Sequence, residues 1–265
     1  MSRRQKIWLI LVFVAVLLGA LVVTMPLRQV LRVVKIPPAL QIAGLSGSVS
    51  HAHIKQIRYQ QFSLSDVKLS DVNLSWHPLC LLQASICYRL TSGDDVALDA
   101  IGRINLLTRN LSVEPGHIHL DSRMLAGMKS LLVKPRGVFE LNIEQLTLVD
   151  QKLQDLAGQI VWLDAGIVGE EQTLGNYIAD IKTSEQGIAA TLSDQKGLLK
   201  LQGEALLQWS GDYSLDIKLQ ARSGLKPSIK HSLELIAKRT GLNRYAIQHR
   251  GRLNPQQMRQ LNTLH

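Results

Sequence analysis

The stretch "SGDYSLDIKLQARSG", Ser210 to Gly224, decides the fold class. Tyr213, Leu215, Ile217 and Leu219 alternate with Asp212, Ser214, Asp216, Lys218 and Gln220. In a strand, successive side chains point to opposite faces, so this pattern makes one apolar face and one wet face. Ser and Gly at both ends punctuate it. The same period recurs in "VNLSW", which sets Val72, Leu74 and Trp76 together, and in "GVFELNIEQLTLVD", with Phe139, Leu141 and Ile143. "GRINLLTRNLSVEPGHIHLD" gives Ile104 and Leu106, then Leu111 and Val113, then Ile118 and Leu120, with a turn expected at Pro115-Gly116. Strands solvated on one side belong to antiparallel sheets rather than buried parallel ones. The reading is therefore mainly β, a largely antiparallel sheet.

One stretch changes period. In "KPSIKHSLELIAKRTG", Ile229, Leu233, Ile236 and Ala237 recur at helical spacing. This predicts an amphipathic helix from Ser228 to Arg239, capped by Ser228, ended by Gly241, with Ile229, Leu233 and Ile236 inward.

The N-terminus sets the compartment. Arg3, Arg4 and Lys6 precede nineteen uncharged residues, Ile7 to Met25. As a helix this run is about 28 Å long, close to the ~30 Å hydrocarbon core. It lacks the small-residue cleavage signal of a secretory leader. It reads as an uncleaved signal anchor, with Trp8 at one interface and Pro26 ending the helix. Arg28, Arg32 and Lys35 follow the span and balance the charges before it. Long downstream domains translocate largely regardless of charge. The expected layout is a cytoplasmic tail at 1–6, a span at 7–25, a linker at 26–39, a periplasmic β domain at 40–253 and a tail at 254–265. Nothing divides the exported part further.

Cys80 and Cys87 both fall in that exported part. An oxidising compartment makes a disulfide the default, with two buried thiols as the alternative. A metal pair fits poorly, because six intervening residues do not match ligand spacing.

Hydrophobic residues make up 46% of the chain and aromatics 5%, so the core must be mostly Leu, Ile and Val. The net charge of +9 gathers toward the C-terminus, where Lys226, Lys230, Lys238, Arg239 and Arg244 form a basic surface. Such a block is a solvated face, or a contact for phospholipid headgroups or an acidic partner. There is no recognition helix, zinc knuckle or aromatic-interleaved basic strand, so nucleic acid is not expected.

Catalytic patterns fail. "GLSGS" supplies Gly44, Ser46 and Gly47, but a nucleophile elbow needs Gly-x-Ser-x-Gly on a strand-to-helix turn. His51-x-His53 and His117-x-His119 each place two rings on one strand face and could hold a metal if the pairs met. No carboxylate-rich metal motif, phosphate loop or dinucleotide fingerprint accompanies them. The expectation is a non-enzyme with no cofactor.

Several spread-out marks carry a resemblance: "LQIAGLSGSV" at Leu40 to Val49, "VNLSWHPLCLL" at Val72 to Leu82 and "LAGQIVWLDAGI" at Leu156 to Ile167. "LGNYIADI" at Leu174 to Ile181, "GDYSLDIKLQAR" at Gly211 to Arg222 and "LIAKRTGLNRYAIQHRGRL" at Leu235 to Leu253 continue it. In order and spacing the chain resembles the protein N family of the type II secretion system of Gram-negative bacteria. One departure is the missing tryptophan in Gly47-Ser48-Val49-Ser50-His51, where family members have one shortly after Gly-Thr. The resemblance implies a bitopic inner-membrane protein that contacts other secretion subunits and serves export of folded proteins across the outer membrane. That family is in turn similar to AsmA-like proteins, which implies an alternative, a periplasmic groove that binds lipid. Oligomeric state does not follow from the sequence.

Overall fold

The computed structural model describes residues 24–26, 40–59, 67–93, 96–122, 134–150 and 152–253. The expected span falls outside these residues except for its last two, and the tail at 254–265 falls outside entirely. Among the described residues no helix is long and apolar enough to cross a membrane.

The described chain builds one antiparallel sheet of fourteen strands. The strands are β1 (Leu40–Gly47), β2 (His51–Tyr59), β3 (Val67–His77), β4 (Ser85–Gly93), β5 (Val96–Asn105), β6 (Leu111–Asp121) and β7 (Pro135–Val149). They continue as β8 (Lys152–Ile167), β9 (Gly175–Ser184), β10 (Gly187–Gln195), β11 (Leu199–Gln208), β12 (Asp212–Ala221), β13 (Lys238–Gly241) and β14 (Arg244–Arg252). Each strand from β1 to β12 pairs with its sequence neighbour. Then helix α1 (Pro227–Ile236) intervenes, β13 takes the outer edge, and β14 returns between β13 and β12. A short 3-10 helix, Pro78–Gln83, joins β3 to β4.

The register carries the two-faced pattern across the molecule. Gly47, Ala52, Leu74, Leu90, Ala100, Gly116, Ile143, Gly158, Ile181, Ala190, Ala205, Leu215 and His249 pair in sequence from β1 to β14. One residue along each strand, on the other face, runs a second row that is polar throughout. It is Ser46, His53, Asn73, Thr91, Asp99, His117, Asn142, Gln159, Asp180, Thr191, Glu204, Asp216 and Gln248. Cross-strand pairs of this kind are the unit of sheet stabilisation.

The tightest packing lies where α1 covers the apolar face. Ile229 and Leu233 are buried beneath the helix with Leu199, Leu219 and Tyr245 of the sheet. Phe139, Trp162 and Tyr177 pair across β7, β8 and β9 and lead into this core, the first two rings stacked at 5.2 Å. Tyr177 Oη donates to the Leu199 carbonyl (3.1 Å), and burial pushes its phenol pKa upward. The buried Asp194 carboxylate accepts the Leu201 N–H (3.0 Å) and an Arg222 N–H (3.0 Å). Neither partnership was visible in the sequence.

Three expectations are corrected here. Pro115-Gly116 is not a turn but lies inside β6, at a break in register where Val113 and Gly116 pair and the residues between them do not. A proline lacks the ladder donor, and a bulge is where a sheet tolerates it. The helix spans Pro227–Ile236, with Pro227 in the first turn and Lys226 as the N-cap, so Ser228 does not cap it. It stops two residues before β13, so Gly241 ends an edge strand and Ile236 stays 40% exposed.

Leu233→Ala should therefore cost about 2–5 kcal/mol of stability, the usual range for emptying a leucine site in a core. Ile236→Ala should fall within about 0.5 kcal/mol of the parent, as exposed positions do. Denaturant titration of the two variants checks this ordering.

Candidate functional site

The chemistry of the two rows sets what each face can do. Of the apolar strand predicted from Tyr213 to Leu219, only Leu219 is fully buried. Ile217 packs against the core, while Leu215 and Tyr213 are half-buried beyond the helix. Asp216, Lys218 and Gln220 are exposed on the opposite face, as the alternation requires. In β3, Val72 is fully buried, and Leu74 and Trp76 are half-buried. The Trp76 indole N–H is buried without a hydrogen-bond partner. All seven residues share the apolar face, which is buried beneath α1 at Leu219 and again on β2 and β3 at Ala52, Ile54 and Val72, and half-buried at Leu74, Trp76, Tyr213 and Leu215.

The polar face is a chain of cross-strand hydrogen bonds. His53 Nδ1 pairs with Asn73 Oδ1 at 2.9 Å, and His117 Nδ1 with Asn142 Oδ1 at 2.6 Å. Gln159 donates to Asp180 (2.7 Å) and Gln248 to Asp216 (3.0 Å). Arg89 grips Asp99 with two parallel bonds of 2.9 and 2.6 Å, and this holds the Asp99 carboxyl below its usual pKa. A hollow of about 950 Å³ lies on this row and is lined partly by Thr191, Glu204, Asp216 and Arg250.

The two histidine pairs lie on β2 and β6, four strands apart, and do not meet. His119 faces Glu140 at 3.6 Å, and His53 faces Asp71 at the same distance. Among the described residues no three His, Cys, Asp or Glu side chains converge as metal ligands. "GLSGS" forms the end of β1, where Ser46 Oγ donates to the His53 carbonyl. Gly47 adopts φ +94°, and a Cβ there would strike the His51 carbonyl oxygen. That glycine makes a hairpin turn, not a catalytic loop. At Val49, where the resemblance predicts an aromatic nearby, the backbone N–H donates to the Met25 carbonyl (3.1 Å).

Cys80 and Cys87 are bonded to each other, tying the 3-10 helix to β4. The predicted basic residues gather at the opposite lateral edge of the sheet from β1. Lys226, Lys238, Arg239 and Arg244 are exposed, and Lys230 donates to Asn243 (3.3 Å). Lys238 and Arg239 lie on β13, exposed along its whole length, and charge on an edge strand discourages pairing with another chain.

These features define a class: a wide antiparallel sheet with one apolar and one polar face. Residues 38–248 match the family "Type II secretion system (T2SS), protein N", and the chain belongs to that family. It is 25% identical to the type II secretion system protein N of Vibrio cholerae serotype O1, across 92% of this chain and 97% of that one. It is 23% identical to the protein of the same name from Aeromonas hydrophila, across 94% of this chain and all of that one. No solved structure matches the chain significantly.

Thiol labelling of the denatured, unreduced protein should find no free cysteine. Replacing both cysteines by serine should lower stability by roughly 2.5 kcal/mol, the loop-entropy value for a ring of about eight residues. Two labelled thiols per chain would contradict the pairing.

Proposed function

We propose that the chain acts in type II secretion as a non-enzymatic subunit, anchored in the inner membrane by residues 7–25, with its sheet in the periplasm. The family membership carries the secretion role. Binding without turnover is supported by the sheet itself. Its polar side chains are spent on one another across strands, as in His117 with Asn142 and Arg89 with Asp99. The half-open apolar face and the basic edge around Lys238, Arg239 and Arg244 are surfaces for other secretion subunits. Half-buried Tyr213 and exposed Arg239 and Arg244 are of the residue types enriched at protein interfaces. The lipid-groove alternative gains no support from the comparisons.

Complementation tests this reading. In a strain lacking the protein, the parent chain should restore secretion. Alanine at His51, His53, His117 and His119 together should restore it too, because His53, His117 and His119 bridge neighbouring strands and His51 is exposed. Leu233→Asp should fail, because it breaks the α1 contact that holds the C-terminal strands. Loss of secretion in a histidine variant that keeps its fold would show that a metal or catalytic site had been missed.

A further inference from the structure

Two adjoining turns carry leucines that no described element of the fold covers. In the 3-10 helix, Leu79, Leu81 and Leu82 are 77%, 47% and 86% exposed. In the β5–β6 turn, Leu106 and Leu107 are 50% and 81% exposed. Single exposed leucines are ordinary, but five in neighbouring turns form a patch that calls for a partner.

The turns are rigid rather than loose. The disulfide pins the 3-10 helix through Cys80. The Leu106 N–H donates to the Ala84 carbonyl (2.8 Å), and Arg103 donates to Gln83 (3.0 Å), joining the two tips. Asn105 Oδ1 accepts the N–H groups of Leu107 and Thr108 at 2.9 and 3.0 Å, fixing the turn. No acidic residue occurs from His77 to Gln83 or from Asn105 to Asn110, whereas Arg103 and Arg109 flank the patch.

The position of the patch identifies its partner. The β1–β2 turn receives the end of the N-terminal apolar run: the Val49 N–H donates to the Met25 carbonyl, and Pro26 bridges Ser48. The same turn is bonded to the strands that carry the 3-10 helix. The Trp76 N–H donates to the Ser50 carbonyl (2.8 Å), and Tyr88 Oη to the Val49 carbonyl (3.2 Å). With strands about 4.8 Å apart, the 3-10 helix lies two strand spacings, roughly 10 Å, and the β5–β6 turn four, roughly 19 Å, along the same end of the sheet from the turn that Met25 joins.

We infer that these leucines form a membrane-docking tip that dips into the leaflet beside the N-terminal span. The inference rests on reading residues 7–25 as a span. Leucines enter the acyl boundary, and Arg103 and Arg109 face anionic headgroups, the arrangement of an interfacial anchor. With the span, the tip makes a second point of attachment, so the sheet stands at a fixed tilt on the membrane instead of swinging from a linker.

The test uses the full chain in nanodiscs of phosphatidylethanolamine and phosphatidylglycerol, with no other protein present. Photoreactive benzoylphenylalanine replaces Val14, Leu82, Leu107 or Leu242, one at a time, and disulfide formation reports folding. Val14 probes the span, and Leu242 is an equally exposed leucine in the β13–β14 turn. Lipid adducts at Leu82 and Leu107 should exceed those at Leu242 several-fold and accompany adducts at Val14. Adducts at Val14 with Leu82 and Leu107 no higher than Leu242 overturn the docking tip and leave the span standing; a patch reserved for a protein partner gives this result. No lipid adduct at Val14 overturns the span and the tip with it.

Discussion

A single constraint governs the molecule: thirteen strands contribute one residue each to the same polar row and one to the apolar row beside it. Strand side chains have a period of two, so a slip of one residue would move an entire strand's apolar set to the wet face. The pairing breaks locally between β3 and β4, β5 and β6, β7 and β8, and β8 and β9. At each break one of the two strands carries one extra residue, and the ladder resumes shifted by that residue. Bulges bend a sheet and increase its twist, and a sheet this wide must coil rather than stay flat.

From that constraint follows an uneven distribution of stability. A single layer cannot cover its own apolar face. Here α1 covers only the end carried by the C-terminal strands, where Ile229 and Leu233 complete the core. The remaining apolar row is rich in small residues, including Ala52, Ala100, Gly116, Gly158, Ala190 and Ala205, which keeps the uncovered surface low. The polar row needs no cover, because His53, His117, Gln159 and Gln248 each pair with a neighbour across the strand gap.

Much of this was legible in the sequence, and the reasons are local. Alternation from Asp212 to Ala221 fixed both the strand and its faces, and β12 spans Asp212–Ala221. The helical period around Ile229 and Leu233 located α1, because those two residues do point inward. Its end was misplaced because Ile236 keeps the helical spacing although Lys238 already belongs to β13. Pro115-Gly116 misled because the same dipeptide serves a turn or a bulge, and only pairing tells them apart. The cross-strand rows, and the Tyr177, Asp194 and Arg222 cluster, depend on register between strands and leave no signal in one sequence. The exposed tip did leave one: Leu81-Leu82 and Leu106-Leu107 are adjacent leucines that break the alternation around them.

The central claim is that the sheet works by contact with the secretion apparatus. Crosslinking mass spectrometry in cells that are actively secreting tests it most directly. The account predicts crosslinks from the sheet, residues 40–253, to other type II secretion subunits, with lysines on the basic edge such as Lys238 among the reacting groups. Efficient secretion with crosslinks from the sheet to itself alone, and none to the apparatus, would contradict it.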